Sequence, residues 1–472
     1  MVRAKFFART ALALTLSLGV AAGGFGAAEA KDKKKAEAAK GPQQKLGEKF
    51  LKVAKPAMES LQASIKRPEM MAQREKVLAA EKAARDAKAG AAKDTAVAKL
   101  NAERATLQGM LTTEKGLIDA MVAAAVEPDE KLVAGQLLNQ YGAISLDRTA
   151  QTNGLQMQIA SGKLAGEAMG QAHFQLGMLA SQAGNFKAAQ TEMKAAIAAG
   201  YTKEEAEFQL SKAFMNDGQL PLGLKYLHDA TVRNGVATPE YWIDDGVVQA
   251  FNNKLMPETN MLAVDLVTYY PSPQNWDRAF FTITSVNKYK SSDKIDLLRL
   301  RDRTGNMVQP DDYLDYMVYA TSARLPAEVL SVIDKGIKSG KITLATDVAT
   351  DVGMSTVAKV QAAAQAKMAE DNRLLTVQEA DALGPKGTAV VALSAGDAFL
   401  SHGMAVKAEA MYRLAMTKPG VDASRANLRL GIVLYDRGKY ADAIAAFAKV
   451  TDARAPIAQL WTVQAKQKLA GK

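Results

Sequence analysis

A spacing of 34 residues recurs along this chain and restricts its fold more than any single residue does. Leu176-Gly177 is followed by Gly184-Asn185-Phe186, Ala189, Met193 and Ala196. Thirty-four residues on, the same places hold Leu210-Ser211, Gly218-Gln219-Leu220, Gly223, Leu227 and Ala230. The pattern returns as Leu430-Gly431, Gly438-Lys439-Tyr440, Ala443, Phe447 and Val450, and a looser copy stands before it as Ala395-Gly396, Gly403, Ala408, Tyr412 and Ala415. This period is the length of one helix–turn–helix unit. Such a unit cannot bury its own apolar face and must stack on its neighbours. The small residues Gly177, Ser211, Gly396 and Gly431 let the two helices of a unit approach closely. Met193, Leu227, Tyr412 and Phe447 are the large side chains between them, and a glycine closes the first helix where a left-handed cap is wanted.

These positions resemble the tetratricopeptide repeat family: Leu-Gly, then Gly-x-Tyr/Phe, then Ala, then a large apolar residue, then Ala. The match is strongest over 170–237 and 424–456, moderate over 389–420 and degenerate elsewhere. The resemblance implies an all-α, right-handed α-solenoid of stacked antiparallel helix pairs. It also implies a concave groove, lined by the first helix of each unit, that holds a protein or peptide partner. By family register the groove positions are Gln171, Phe174, Met178 and Ser181, then Phe208, Lys212, Met215 and Asn216, then Arg425, Arg429, Ile432 and Tyr435. The candidate partner-binding residues among them are Phe174, Met178, Phe208, Lys212, Asn216, Arg425, Arg429 and Tyr435. Some family members grip a carboxylate with lysine and asparagine here. In this chain Phe174 and Phe208 stand where lysine is required, which favours an apolar ligand face, while Arg425 and Arg429 suit an acidic group. The competing reading is that all of these residues pack beneath a neighbouring helix.

The first thirty residues read as an address. Arg3, Lys5 and Arg9 precede an apolar run from Ala11 to Ala22 that is too short for a comfortable membrane span, and Ala28-Glu29-Ala30 is a cleavage site. The expectation is a cleaved signal peptide over 1–30, a mature start near Lys31 and a periplasmic location; an uncleaved anchor is the alternative. No apolar run of spanning length follows, so no transmembrane segment is expected. With no cysteine in the chain, disulfides, thiolate metal sites and cysteine nucleophiles are excluded. The formal charge of +10 is concentrated near the start: residues 31–127 hold 20 Lys and Arg against 13 Asp and Glu. Repeats without excess positive charge argue against a nucleic-acid groove. A basic arm is instead suited to peripheral contact with an anionic envelope surface.

The chain divides into a basic charged helical arm over 31–127 with a disordered start, repeats over 128–270, degenerate helical repeats over 271–388, and C-terminal repeats with a cap helix over 389–472. Apolar residues at Leu46, Phe50, Val53, Ala57, Met58, Leu61 and Ile65 give helical spacing, with Pro56 marking a kink or a start. Residues 51–140 hold no aromatic side chain, so the arm is expected to be long exposed helices without a thick core, with a hairpin near Gly90. Thr343 to Glu370 reads as helical, and 456–469 as a solvated terminal helix. One continuous superhelix is favoured over separate domains.

No residue set demands chemistry. His173, His228 and His402 are far apart in sequence, and packing or surface roles are expected for them. Ser285…Lys288 and Ser291…Lys294 match S-x-x-K without its companion elements. Asp311-Asp312 follows Pro310 and reads as a helix cap. Asp244-Asp245 stand where the family has Leu-Gly, unless a one-residue shift places Gly246 at the small position. No phosphate-binding or nucleophile-elbow motif occurs in the mature chain. The expected function is therefore a non-enzymatic exported scaffold mediating protein–protein interaction, with no cofactor and no metal. Envelope or cell-wall binding through the basic arm is the alternative, and a hydrolase carried on a helical superstructure has no room in the chain.

Overall fold

The computed structural model describes residues 45–201, 205–350 and 353–471. The expected leader over 1–30 and the charged stretch over 31–44 lie outside the described residues. Within those residues the chain is all-α, with 22 α-helices, one short 3-10 turn and a single two-stranded hairpin. Two compact units meet in sequence between Gln219 and Leu220. That boundary falls inside the second clear repeat, whose first helix belongs to one unit and whose second helix belongs to the other.

The first unit contains α1 (Glu48–Ser64), α2 (Pro68–Asp86), α3 (Ala91–Gly109), α4 (Thr112–Ala124), α5 (Pro128–Ser145), α6 (Arg148–Ala160), α7 (Gly166–Gln182), α8 (Phe186–Ala198) and α9 (Glu205–Asn216). Helices α2 and α3 form a hairpin about Gly90, whose φ of 104° only glycine adopts readily. Helix α1 packs on α4, and pairing then runs consecutively through α5–α6, α7–α8 and α8–α9. Pro56 falls inside α1 rather than at its start. The expectation of exposed helices without a thick core is corrected. Phe50, Leu61, Met70, Val77, Leu107, Leu111, Ile118 and Met121 are all buried in one cluster that continues into Tyr141 and Ile144. Aliphatic and methionine side chains fill this core where aromatic residues are absent, methionine adapting to irregular gaps. Glu130 anchors the arm: its carboxylate accepts the amides of Val126, Glu127 and Gly47, which ties the start of α5 to the start of α1. Those backbone donors hold its carboxyl below the usual range.

The second unit contains α10 (Leu220–Asn234), α11 (Glu240–Asn252), α12 (Met256–Tyr269), α13 (Pro273–Val286), α14 (Ser291–Arg303), α15 (Pro310–Ala320) and α16 (Pro326–Lys338). It continues through β1 (Asp347–Thr350), β2 (Gly353–Thr356), α17 (Val357–Leu383), α18 (Ala389–Ser401), α19 (Ala405–Met416), α20 (Ala423–Asp436), α21 (Tyr440–Phe447) and α22 (Ala455–Leu469). Each helix packs on the next, and α22 also packs back on α12 and α14. Two expectations change here. The stretch read as helix from Thr343 begins with an antiparallel hairpin pairing Asp347 with Thr356 and Val348 with Ser355, and helix starts only at Val357. Burial of Val348 explains the strand, since alternation places that side chain on the core face. The terminal helix is not solvated: Ile457, Leu460, Trp461 and Ala465 are fully buried, because α12 and α14 cover the face that an end helix would leave to water.

The repeat has a direct packing cause. A Cβ built on Gly177 would lie 2.8 Å from Met193 Cε. On Gly396 it would lie 2.6 Å from the Tyr412 ring, and on Gly431 2.3 Å from the Phe447 ring. In each case the small residue of the first helix makes room for the large residue of the second, at the same separation in sequence. Gly246 stands in this relation to Leu262, with a built Cβ 3.1 Å from its Cδ1. The small position in that unit is therefore Gly246, not the Asp244-Asp245 pair.

Candidate functional site

Within the first unit, the candidate groove residues lie on α7 and α9. Phe174 is half-buried and its ring stacks on Tyr201, with centroids 4.8 Å apart. Met178 is half-buried, and Phe208 is buried with the Lys212 ammonium 5.4 Å from its ring centroid. Lys212 and Asn216 are exposed. Of this set, then, the two polar residues are the ones presented most fully to solvent.

The other three candidates sit on α20 in the second unit, and the structure brings two of them, Arg425 and Arg429, into a largely buried ionic network. Arg429 is buried: its Nε donates to Asp296 at 3.2 Å, one terminal nitrogen donates to Asp397, and the other donates to the Ser292 carbonyl at 2.8 Å. Arg299, also buried, donates to Asp296 at 2.7 Å and doubly to Glu328, which accepts in addition the Tyr316 hydroxyl at 3.0 Å. Asp397 accepts Arg429, Arg425 at 2.6 Å and the Tyr412 hydroxyl at 2.8 Å. Burial opposes the charges of Arg299 and Asp397, but their partners outweigh it. Glu328 and Asp296 hold the Arg299 guanidinium well above its ordinary value, and Arg429 and Arg425 hold the Asp397 carboxyl below its own. Tyr435 is buried edge-on to Trp461, and its hydroxyl accepts Gln464 at 3.2 Å. Arg429 and Tyr435 are thus committed to internal partners.

This network also closes the unit. Helix α22 places the Trp461 indole N–H on the Asp296 carbonyl at 3.0 Å and the Gln467 amide on the Val267 carbonyl at 3.0 Å. Arg303 of α14 pairs with Asp436 of α20 at 2.9 Å. Sequence reading found Arg429 but missed Asp296, Arg299, Glu328 and Asp397. A signal existed: Arg299 lies one helical turn after the buried Ile295, and Asp296 one turn before the buried Leu300, so both charges fall on an apolar stripe.

Several residues of the remaining motifs have internal partners. His173 pairs with Glu192 and His402 with Asp371, both at 2.7 Å. His228 pairs with the buried Asp265 at 2.6 Å on the wall of an open cleft of about 340 Å³ that Asn260, Pro456 and Gln459 also line. Asp312 caps α15 by accepting the amides of Val308 and Gln309, and Asp244 pairs with Arg278. Lys294 of the second S-x-x-K match donates to the Tyr319 hydroxyl at 2.9 Å. Among the described residues, no group of three or more metal-ligating side chains converges, and no helix is long and apolar enough to cross a membrane.

One exposed apolar face stands out. On α11, Tyr241 and Val248 are exposed and Phe251 is half-buried; Phe281 of α13 is 63 % exposed, with its ring centroid 5.7 Å from that of Phe251. Both are first helices of their pairs. No protein-family model matches the sequence, and none of the curated proteins compared with it is similar to it.

Proposed function

We propose that this protein is an exported, non-enzymatic scaffold of the tetratricopeptide type that binds a protein partner in the cell envelope. The observation that carries this reading is the repeated pairing of a small residue on one helix with a large one on the next at Gly177, Gly246, Gly396 and Gly431. Stacked helix pairs of this kind present the faces of their first helices to partners. The exposed aromatic face on α11 and α13 supports the reading, since such residues are enriched where partners dock. The signal-like first thirty residues support export.

The test is affinity recovery from a periplasmic extract with the full mature chain as bait. A specific partner should be retained by the wild type and lost by Val248→Asp with Phe281→Asp, two exposed positions where the substitution leaves the core intact. Equal recovery by both baits rejects this face. Recovery of no partner by either rejects the scaffold reading.

The alternative reading, binding to an anionic surface through the arm, has one observation in its favour. Lys49, Lys52 and Lys55 follow one another at three-residue spacing on the exposed side of α1, and Lys66 after it and Lys76 of α2 are exposed too, interspersed with the exposed Glu48, Glu59, Glu69 and Glu75. Sedimentation with vesicles of anionic and of zwitterionic lipid at rising salt separates the two readings. Binding that needs the anionic lipid and fades with salt supports the arm.

A further inference from the structure

We propose that the cleft between α10, α12 and α22 is a binding site for a small organic ammonium ion, with the Asp265 carboxylate accepting its N–H groups and the apolar wall of the cleft against its carbon chain. The site goes beyond the scaffold reading and is independent of it, since none of its residues belongs to α11 or α13.

Asp265 stands apart from the other buried carboxylates. Glu114, Asp296, Asp312, Glu328 and Glu409 each accept at least two donors, one of them a guanidinium. Glu130 accepts three backbone amides. Asp265 is as deeply buried, at 5 % exposed, yet accepts one hydrogen bond, from His228 Nδ1 at 2.6 Å. Among the described residues no guanidinium or ammonium group pairs with it. Glu114 also leaves one oxygen without a donor, but Arg67 meets its charge. Burial accordingly holds the Asp265 carboxyl above its ordinary range, whereas the partners of Glu130 and Glu409 keep theirs below it. Buried carboxylates are ordinarily satisfied by several donors or by a cation, and Asp265 has neither.

The carboxylate lacks partners where the fold opens. Asp265 and His228 line the cleft of about 340 Å³, a volume at the lower end of the small-molecule range. Met261, Val264 and Pro456 supply its apolar wall, and the exposed Gln459 of α22 completes it. Asn260 lines it too, but its amide is exchanged with that of Asn287, at 3.2 and 2.7 Å. The cleft exists because α22 folds back on α12, which also packs on α10. His228 is the one basic group on its wall and Asp265 the one acidic group. The other charges acting on the pair are Lys225 and Asp229 of α10, which cancel each other in an ion pair of 2.6 Å. With the imidazole neutral, one negative charge stays uncompensated in a partly desolvated cleft. An ammonium group supplies both the missing donors and the missing charge, and charge-assisted bonds to a carboxylate are stronger than neutral ones.

The experiment is titration of the full mature chain with n-butylammonium chloride and, separately, with sodium butyrate, at constant ionic strength and mildly alkaline pH. The chain has three histidines, so a proton–carbon correlation spectrum of the imidazole Cε1–H groups has three signals, and His228→Gln identifies the one in the cleft. Saturable movement of the His228 signal with butylammonium is expected, with the His173 and His402 signals unmoved. Butyrate, of matched chain length and opposite charge, should leave all three in place. Asp265→Asn, which keeps an acceptor for His228 but loses the charge, should weaken binding by about tenfold or more. Gln459→Lys sets a cation on the exposed part of the wall and should weaken it roughly threefold or more. No saturable shift with butylammonium, an equal or larger shift with butyrate, or affinity unchanged by Gln459→Lys overturns the proposal. Gln459 is exposed, so this variant keeps the test valid even if Asp265→Asn fails to fold. Far-ultraviolet circular dichroism identical to the wild type establishes that the fold is intact.

Discussion

Replacing Gly431 by alanine isolates the packing rule behind the repeat. Alanine is favoured over glycine inside a helix by about 1 kcal/mol. At Gly116, in α4, a built Cβ meets nothing within 4 Å, so Gly116→Ala should stabilise the first unit by roughly 0.5–1 kcal/mol. At Gly431 the same methyl would lie 2.3 Å from the Phe447 ring, far inside carbon–carbon contact. Phe447 is 2 % exposed and stacks on the fully buried Trp461 with ring centroids 5.9 Å apart, so the ring has nowhere to retreat. Overpacking a filled core costs about 1–3 kcal/mol. With the upper part of that range applying and the propensity gain subtracted, the net loss is about 2 kcal/mol, or roughly 4–8 °C in melting temperature. The three tryptophans, Trp242, Trp276 and Trp461, all lie in the second unit, so urea unfolding followed by tryptophan fluorescence reads that unit alone. Circular dichroism reads Gly116→Ala. Adding Phe447→Leu to Gly431→Ala should recover stability relative to the sum of the two single changes. If Gly431→Ala stabilises as Gly116→Ala does, or if the double change is merely additive, the small-against-large account of the repeat is wrong.

Two further outcomes follow from the ionic network and the cleft. Arg429→Met should destabilise the second unit by about 3 kcal/mol, the low end for breaking a buried ion pair, because Asp296 keeps Arg299 and Asp397 keeps Arg425 and Tyr412. Asp397 is held below the usual carboxylate range, so its stabilisation is present above that range and lost as pH falls; without Arg429 the loss should begin at higher pH, measurable as an earlier acid-unfolding midpoint. The hydrogen bond to Asp265 holds His228 above its ordinary imidazole value, so its contribution is complete at mildly acidic pH and fades as pH rises through the folded value. His228→Gln should flatten the stability–pH curve of the second unit in that window, and an unchanged curve would count against the pair.

Helix pairing was legible in the sequence because it depends on residues close together in the chain. The glycine of one helix meets the large side chain of the next across a single turn, so one spacing announces the contact at Gly177, Gly396 and Gly431. The hairpin at Asp347–Thr356 was not legible, since its strands are four residues long and adjoin an alanine-rich helix that dominates the local pattern. The candidate groove was read with least success on α20. Its register marks Arg429 and Tyr435 as surface positions, but their partners Asp296 and Gln464 come from α14 and α22, and sequence spacing carries no trace of a contact between residues 133 positions apart. The core of α1 to α4 was underestimated for a different reason: aromatic content is a poor measure of burial where methionine, leucine and isoleucine share one helical stripe.

The return of α22 to α12 and α14 alters how the second unit comes apart. In an open stack the end element touches one neighbour and frays first, so disorder spreads inward one step at a time. Here the last helix is bound on both flanks, and its indole and its Gln467 amide hold backbone carbonyls on α14 and α12. Opening α22 therefore breaks contacts with α12 and α14 as well as with α21, and the unit gains a cooperativity that its modular construction would otherwise deny it. The same arrangement delays assembly. Synthesis must reach α22 before α12 and α14 find this partner.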